Sequence, residues 1–167
     1  MYYKKILVAI DLDDKYESII LAAKNLKNAF KSNLAFVTVL RPFKNVYYSH
    51  LGADSYISET TEFNEKSREK INKKLKIISK KFKLSSDNLS LIIGDPVNEI
   101  QKKAISLGAD LIILGTHGRG GMAKLLMGST ASSLLSKTET DILTVNLNKN
   151  EKDKERESEK KENITTK

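Results

Sequence analysis

The stretch LIILGTHGRGGMAKLLMGST, residues 111–130, joins a short apolar run to a segment rich in glycine. Leu111–Leu114 is apolar without interruption, as is typical of a strand buried on both faces of a parallel sheet. Gly115–Thr130 then holds five glycines, two cations and no acid. Because Gly128-Ser129-Thr130 suits the start of a helix, the stretch predicts a strand, a loop and a helix in that order.

The same alternation extends over most of the chain. Four further short apolar runs are Ile6–Ile10, Leu34–Leu40, Leu89–Ile93 and Ile142–Val145. Between the runs, apolar residues recur at spacings of three and four, which indicates helices that bury one face. Strands that alternate with helices predict an α/β fold with a five-stranded parallel sheet in the order 3-2-1-4-5 and helices on both faces.

Local signals place two of the connections. Asp95 is predicted to cap the third helix, and Pro96 suits its first position. The fourth helix is predicted to begin near Ser129 and to end before Asp141. Arg41–Tyr56 is predicted to be a long surface connection, with a lid over the site as the alternative interpretation.

Composition limits the class of protein. A chain of 167 residues with a net charge of +8 suits one domain that attracts anions. The absence of cysteine excludes disulfides and thiolate sites, and two histidines, His50 and His117, argue against a histidine-rich metal site. No apolar run approaches the roughly 20 residues that cross a bilayer, so we predict no membrane segment and a cytoplasmic location.

The last residues differ from the rest in composition. Residues 148–167 carry seven Lys/Arg, six Asp/Glu and a single strong hydrophobe, Ile164. Such a segment buries too little apolar surface to offset its ordering entropy. We predict one domain over residues 1–147 and a disordered tail over residues 148–167.

The glycine segment has the chemistry of an anion site. Glycines let several backbone N–H groups approach one phosphate, and a following helix adds its free amides. The P-loop pattern fails here, because Ala123 replaces its second glycine and Leu125 stands where a hydroxyl belongs. The dinucleotide fingerprint G-x-G-x-x-A matches GRGGMA, but it also requires an acid about 20 residues later, at the end of the next strand. Asp141 is the acid at that distance, and it stands at the start of the next strand instead.

A different spacing fits without adjustment. Gly115-x-x-Gly118, nine residues and then Gly128-Ser129 resemble the G-2x-G-9x-G-(S/T) signature of ATP-binding universal stress proteins. The resemblance covers about residues 1–147. It implies a Rossmann-like domain, similar to adenine nucleotide alpha hydrolases, that binds ATP and forms a homodimer through its fifth strand.

The resemblance also implies a binding site. Its residues would be Asp11, Val39, Gly115, Thr116, His117, Gly118, Arg119, Gly128, Ser129 and Thr130. Asp11 would contact the ribose or adenine side, the backbone of Val39 would hold adenine, and the glycine segment would bind phosphates. The chain departs from the family pattern after Asp11, where Asp13 and Asp14 either cap the first helix or help to hold Mg²⁺.

Three functions follow as hypotheses. The first is a regulatory, stress-linked protein that binds ATP and has no catalytic residues. The second is an enzyme that hydrolyses ATP slowly or transfers a phosphoryl group, with Arg119, Lys124 and Asp13 as candidates. The third is a nucleic-acid binder, because Lys66–Lys83 contains nine Lys/Arg and one acid. No aromatic platform and no base-reading motif accompany that segment, which makes nucleic acid the weakest of the three.

Overall fold

The computed structural model describes residues 3–12, 15–42, 53–116 and 128–147. Strands and helices alternate along this part of the chain, as the apolar runs predict. The elements are β1 (Lys5–Ala9), α1 (Tyr16–Phe30), β2 (Asn33–Leu40), α2 (Ala53–Phe82), β3 (Leu89–Ile93), α3 (Pro96–Leu107), β4 (Leu111–Thr116), α4 (Ser129–Leu135) and β5 (Asp141–Asn146).

The five strands form one parallel sheet in the order β3-β2-β1-β4-β5, which confirms the predicted topology. β1 is central, with Ile6 opposite Leu34 of β2 on one side and opposite Leu111 of β4 on the other. The winding direction therefore switches between β1 and β4. In open sheets of this kind, ligands bind beyond the carboxyl ends of the strands at that point.

Each face of the sheet is covered by two helices. On one face α1 and α2 pack on β1, β2 and β4, with Ile6, Val8 and Phe36 almost wholly buried. On the other face α3 and α4 pack on Leu7 and Ile112. Side chains of a strand alternate between faces, so continuous apolar runs are what two covered faces require.

The third helix begins as its sequence predicts. The Asp95 side chain accepts a hydrogen bond from the backbone N–H of Asn98 at 3.1 Å, and Pro96 occupies the first turn. The connection predicted over Arg41–Tyr56 is too long, because α2 already begins at Ala53. Its lid interpretation falls mainly on residues 43–52, outside the described residues, and stays a prediction. No helix in the described ranges is long and apolar enough to cross a membrane.

Asp110 holds the amino ends of the two central strands together. Its carboxylate accepts hydrogen bonds from the backbone N–H groups of Lys4 at 2.7 Å and Lys5 at 2.8 Å. The Asp110 N–H donates in turn to the Lys5 carbonyl at 2.8 Å. The start of β4 is thereby fixed to the start of β1, at the edge of the sheet opposite to the ligand edge.

This arrangement predicts an acid-sensitive contribution to stability. The two backbone N–H groups, Lys5 first, hold the pKa of Asp110 below its ordinary value of 3.8. The contribution is present above that value and is lost as the pH falls through the lower folded-state pKa. We expect Asp110→Asn to be less stable than the native chain at pH 7, with a difference that shrinks below pH 3.8. Urea unfolding over a pH series measures it, and a difference independent of pH would contradict it.

Candidate functional site

A cavity of about 430 Å³ opens at the carboxyl ends of β1, β2 and β4. This is the switch point of the winding, where the topology predicts a ligand. Four residues of the site inferred from the sequence line it: Asp11, Val39, Gly115 and Thr130. They come from β1, β2, β4 and α4 or from the residues that follow these strands, so the fold brings together groups that are far apart in sequence.

One wall of the cavity is apolar. Val39 packs with the cluster beneath α3 and α4, and Pro96 and Ile100 of α3 line the same side. These side chains offer no charge and little hydrogen bonding. A flat, apolar group such as a heterocyclic base suits this wall, because burial of apolar surface is worth about 25 cal/mol per Å².

The opposite wall is polar and cationic. Thr38 lies on the face of β2 that also carries Phe36, beneath α1 and α2. Ser67, Lys70 and Lys74 of α2 line the cavity on this side. Lys70 and Lys74 are four residues apart and therefore neighbours on one helix face.

The Thr38 hydroxyl is an unusual feature of this wall. Thr38 is only 5% exposed, and its Oγ1 atom is buried without a hydrogen-bond partner in the described part of the chain. An unpaired buried hydroxyl costs about 1–3 kcal/mol. Lys74 is oriented towards the same cavity edge, where its Nζ donates to the carbonyl of Leu12 at 3.4 Å. Thr38 lines the cavity, so a ligand acceptor that reaches its Oγ1 atom would satisfy this hydroxyl.

The backbone of Val39 faces the end of β1. The Ile10 N–H donates to the carbonyl of Val37 at 3.0 Å, so the polar groups of Val37 point towards β1. Val39 lies two residues further on and directs its N–H and C=O to the same side. The β1–β2 pairing ends at Ala9. The Val39 groups therefore point into the space where Asp11 also lies, which is consistent with the predicted contact to a base.

Gly115 has a packing role of its own. An ideal Cβ on this residue would lie 2.8 Å from Cδ1 of Leu147 and 2.9 Å from Cδ1 of Ile19. Both neighbours are 2% exposed. A side chain at the first glycine of the signature would therefore force the buried ends of Leu147 and Ile19 to shift, independently of any phosphate.

Of the other residues predicted in or beside the glycine signature, some are described by the structure and some are not. The Thr116 hydroxyl donates to the carbonyl of Val145 at 3.3 Å, which fixes β4 to β5. Gly128 is buried and precedes α4, while Ser129 is exposed in its first turn; neither lines the cavity. His117, Gly118 and Arg119 lie outside the described residues, and their predicted roles stay predictions.

Sequence reasoning missed the cationic wall. Its residues Thr38, Arg41, Ser67, Lys70 and Lys74 line the cavity but were not among the predicted site residues. One signal was available, because Thr38 is the single polar residue in the run from Leu34 to Leu40. Asp11 is the only acid lining the cavity among the described residues, and these form no group of three or more potential metal ligands.

Comparison with known proteins identifies the family. The model of the Universal stress protein family matches residues 2–146. The chain belongs to the universal stress protein family. Universal stress protein A homolog 2 of Coxiella burnetii is 30% identical over 146 residues, which cover 87% of this chain and 96% of the relative. Universal stress protein MJ0577 of Methanocaldococcus jannaschii is 27% identical over 157 residues, covering 86% and 94%.

Solved structures of universal stress proteins share the fold. The structure of MJ0577 superposes with a TM-score of 0.68 at 24% identity, covering 87% of this chain and 97% of that protein. A universal stress protein solved in complex with cAMP gives a TM-score of 0.51 at 18% identity, covering 88% and 99%. The Rossmann-like architecture expected from the sequence is therefore confirmed.

Proposed function

We propose that this universal stress protein binds ATP in the cavity at the switch point and acts as a nucleotide-dependent regulatory module. The observation that carries the proposal is the convergence of Asp11, the Val39 backbone, Gly115 and Thr130 on one cavity. Its volume of about 430 Å³ lies within the range of roughly 300–1,000 Å³ that small-molecule sites occupy. The cAMP complex of another member supports an adenine nucleotide as the ligand class.

The apolar wall, Asp11 and the β4–α4 side suggest how the ligand would be held. Adenine would lie against Val39 and Ile100, with its polar edge towards the backbone N–H and C=O of Val39. Asp11 would accept hydrogen bonds from the nucleoside. The 5′-phosphates would extend towards Gly115 and Thr130, where the predicted phosphate residues of the glycine segment follow in sequence.

Calorimetry tests the proposal directly. Protein stripped of co-purified nucleotide is titrated with ATP, AMP and adenosine. We expect ATP to bind with micromolar affinity, about 8 kcal/mol. Titration of ATP with and without Mg²⁺ tests whether a divalent ion takes part. Asp13 and Asp14, which lie outside the described residues, are its candidate ligands as the alternative to capping α1. No heat and no thermal shift with any of the three compounds would refute nucleotide binding.

We also propose a homodimer through β5. This strand ends the sheet, and Leu143 on it is 38% exposed. An apolar edge strand is a liability unless it is covered. We expect sedimentation at micromolar concentration to show a dimer, and Leu143→Lys to shift it to monomer while the circular dichroism spectrum is retained. A native chain that sediments as a monomer would contradict the proposal.

Two alternatives give different measurements on the same protein. A slow ATP hydrolase would release inorganic phosphate from bound ATP. A regulatory protein that only binds ATP would release the ATP unchanged. Nucleic-acid binding by Lys66–Lys83 would retain the protein on DNA at physiological salt. Two lysines of that segment, Lys70 and Lys74, line the cavity, which places them at the proposed nucleotide site. The cytoplasmic location stays a prediction. The disordered tail over residues 148–167 also stays a prediction, because those residues lie outside the described part of the chain.

A further inference from the structure

The cationic wall is not needed for the ATP contacts just proposed. Those contacts use the apolar wall, Asp11 and the β4–α4 side. The groups left over are Thr38, Lys70 and Lys74, together with Arg41 and Ser67 of the same wall. They comprise three cations and two hydroxyls, and all five can donate hydrogen bonds to an anion.

The position of the wall separates it from the 5′-phosphate side. Thr38 is on β2 and Gly115 is on β4, and β1 lies between these strands. Neighbouring strands are about 4.8 Å apart, so the two strands are separated by about 10 Å. A nucleoside held by Asp11 at the end of β1 would lie between two polar regions. Its ribose carries substituents on both sides of the ring, the 5′-oxygen on one and the 2′- and 3′-oxygens on the other.

We propose that Thr38, Lys70 and Lys74 form a second anion subsite that accepts a phosphoryl group on the 2′- or 3′-oxygen of the ribose. The inference rests on the proposed nucleotide site and names a ligand class for it: adenosine bisphosphates that carry one phosphate at each end of the ribose. The buried Thr38 hydroxyl, which has no partner among the described residues, gains an acceptor in that complex. The positive ammonium groups of Lys70 and Lys74 attract the negative charge of the added phosphoryl group.

The experiment compares ligands that differ by one phosphate. Adenosine, 5′-AMP, ATP, adenosine 2′,5′-bisphosphate and adenosine 3′,5′-bisphosphate are titrated into the native chain at 0.15 M salt. We expect at least one bisphosphate to bind about tenfold more tightly than 5′-AMP, a difference of about 1.4 kcal/mol. The better of the two isomers identifies which ribose oxygen faces α2.

Substitutions then locate the gain. Lys70→Gln and Lys74→Gln should each reduce the tenfold gain to about threefold, the double substitution should abolish it, and Thr38→Val should reduce it. Adenosine affinity should stay within about twofold throughout. Lys76→Gln is the charge-matched control, because Lys76 is exposed on the same helix and does not line the cavity. That variant should keep the full gain.

Three results would overturn the inference. The first is equal affinity of the native chain for 5′-AMP and both bisphosphates. The second is a gain that survives the double lysine substitution. The third is a double variant that loses affinity for ATP relative to 5′-AMP, because the wall would then hold the 5′-phosphate chain. In each case binding of adenosine and AMP leaves the proposed function intact, whereas failure of all ligands to bind removes the function itself.

Discussion

Gly115→Val is expected to lower the free energy of unfolding by about 2–3 kcal/mol. Even a single Cβ on this residue would lie 2.8 Å from Leu147 and 2.9 Å from Ile19, closer than packed carbons approach. The two methyl groups of valine would add to that overlap. Valine favours strands and restricts the unfolded chain, which offsets a smaller part of the cost. Gly115 also lines the cavity, so ATP affinity should fall in the same variant.

A double-substitution cycle distinguishes overpacking from other causes. Leu147→Ala alone removes a buried side chain and should cost about 2–4 kcal/mol. In the combined variant the new valine occupies part of the space that Leu147 leaves. The combined loss should therefore be smaller than the sum of the single losses by at least about 1 kcal/mol. Additive losses from urea unfolding would show that the close contacts at Gly115 do not limit substitution there.

The topology was predictable because burial on both faces leaves a direct trace in sequence. The run Leu111–Leu114 has no polar interruption, and each of its residues is at most 4% exposed in the sheet. The start of α2 left no such trace. Residues 53–63 show no regular apolar stripe, whereas Ile71, Leu75, Ile78 and Phe82 further along the same helix recur at spacings of four and three. Sequence periodicity detects a helix only where apolar residues recur at helical spacing, so a helical segment without that spacing is not predicted.

The site was only half predictable for a related reason. Asp11 and Gly115 directly follow the apolar runs Ile6–Ile10 and Leu111–Leu114, so strand order alone places them at the ligand edge. Lys70 and Lys74 come from a segment with nine cations, and local sequence does not distinguish the lysines that face the cavity. Their direction depends on the phase of α2, which is set by contacts such as that of Ile78 with the core. The direction of these lysines therefore depends on tertiary contacts, which local sequence does not show.

Asp11→Ala is expected to weaken the binding of adenosine, AMP and ATP alike. The affinity for each should fall by about 10- to 100-fold, or roughly 1.4–2.8 kcal/mol. Asp11 lies at the end of β1, beside the space that the Val39 backbone faces. A carboxylate there accepts hydrogen bonds from a nucleoside, and charged acceptors make the stronger bonds. Adenosine is the informative ligand, because it has no phosphate to be repelled by the carboxylate.

A matched control removes the effect of net charge. Asp87→Ala deletes the same charge from the exposed turn Ser86–Asn88, which precedes β3 at the opposite edge of the sheet. Its affinities for all three ligands should stay within about twofold of the native chain. If Asp11→Ala leaves the affinity for adenosine unchanged and raises the affinity for ATP, the carboxylate acts only by repelling phosphate. The nucleoside would then be held by the Val39 backbone and the apolar wall alone, and the placement of the ribose over β1 would be wrong.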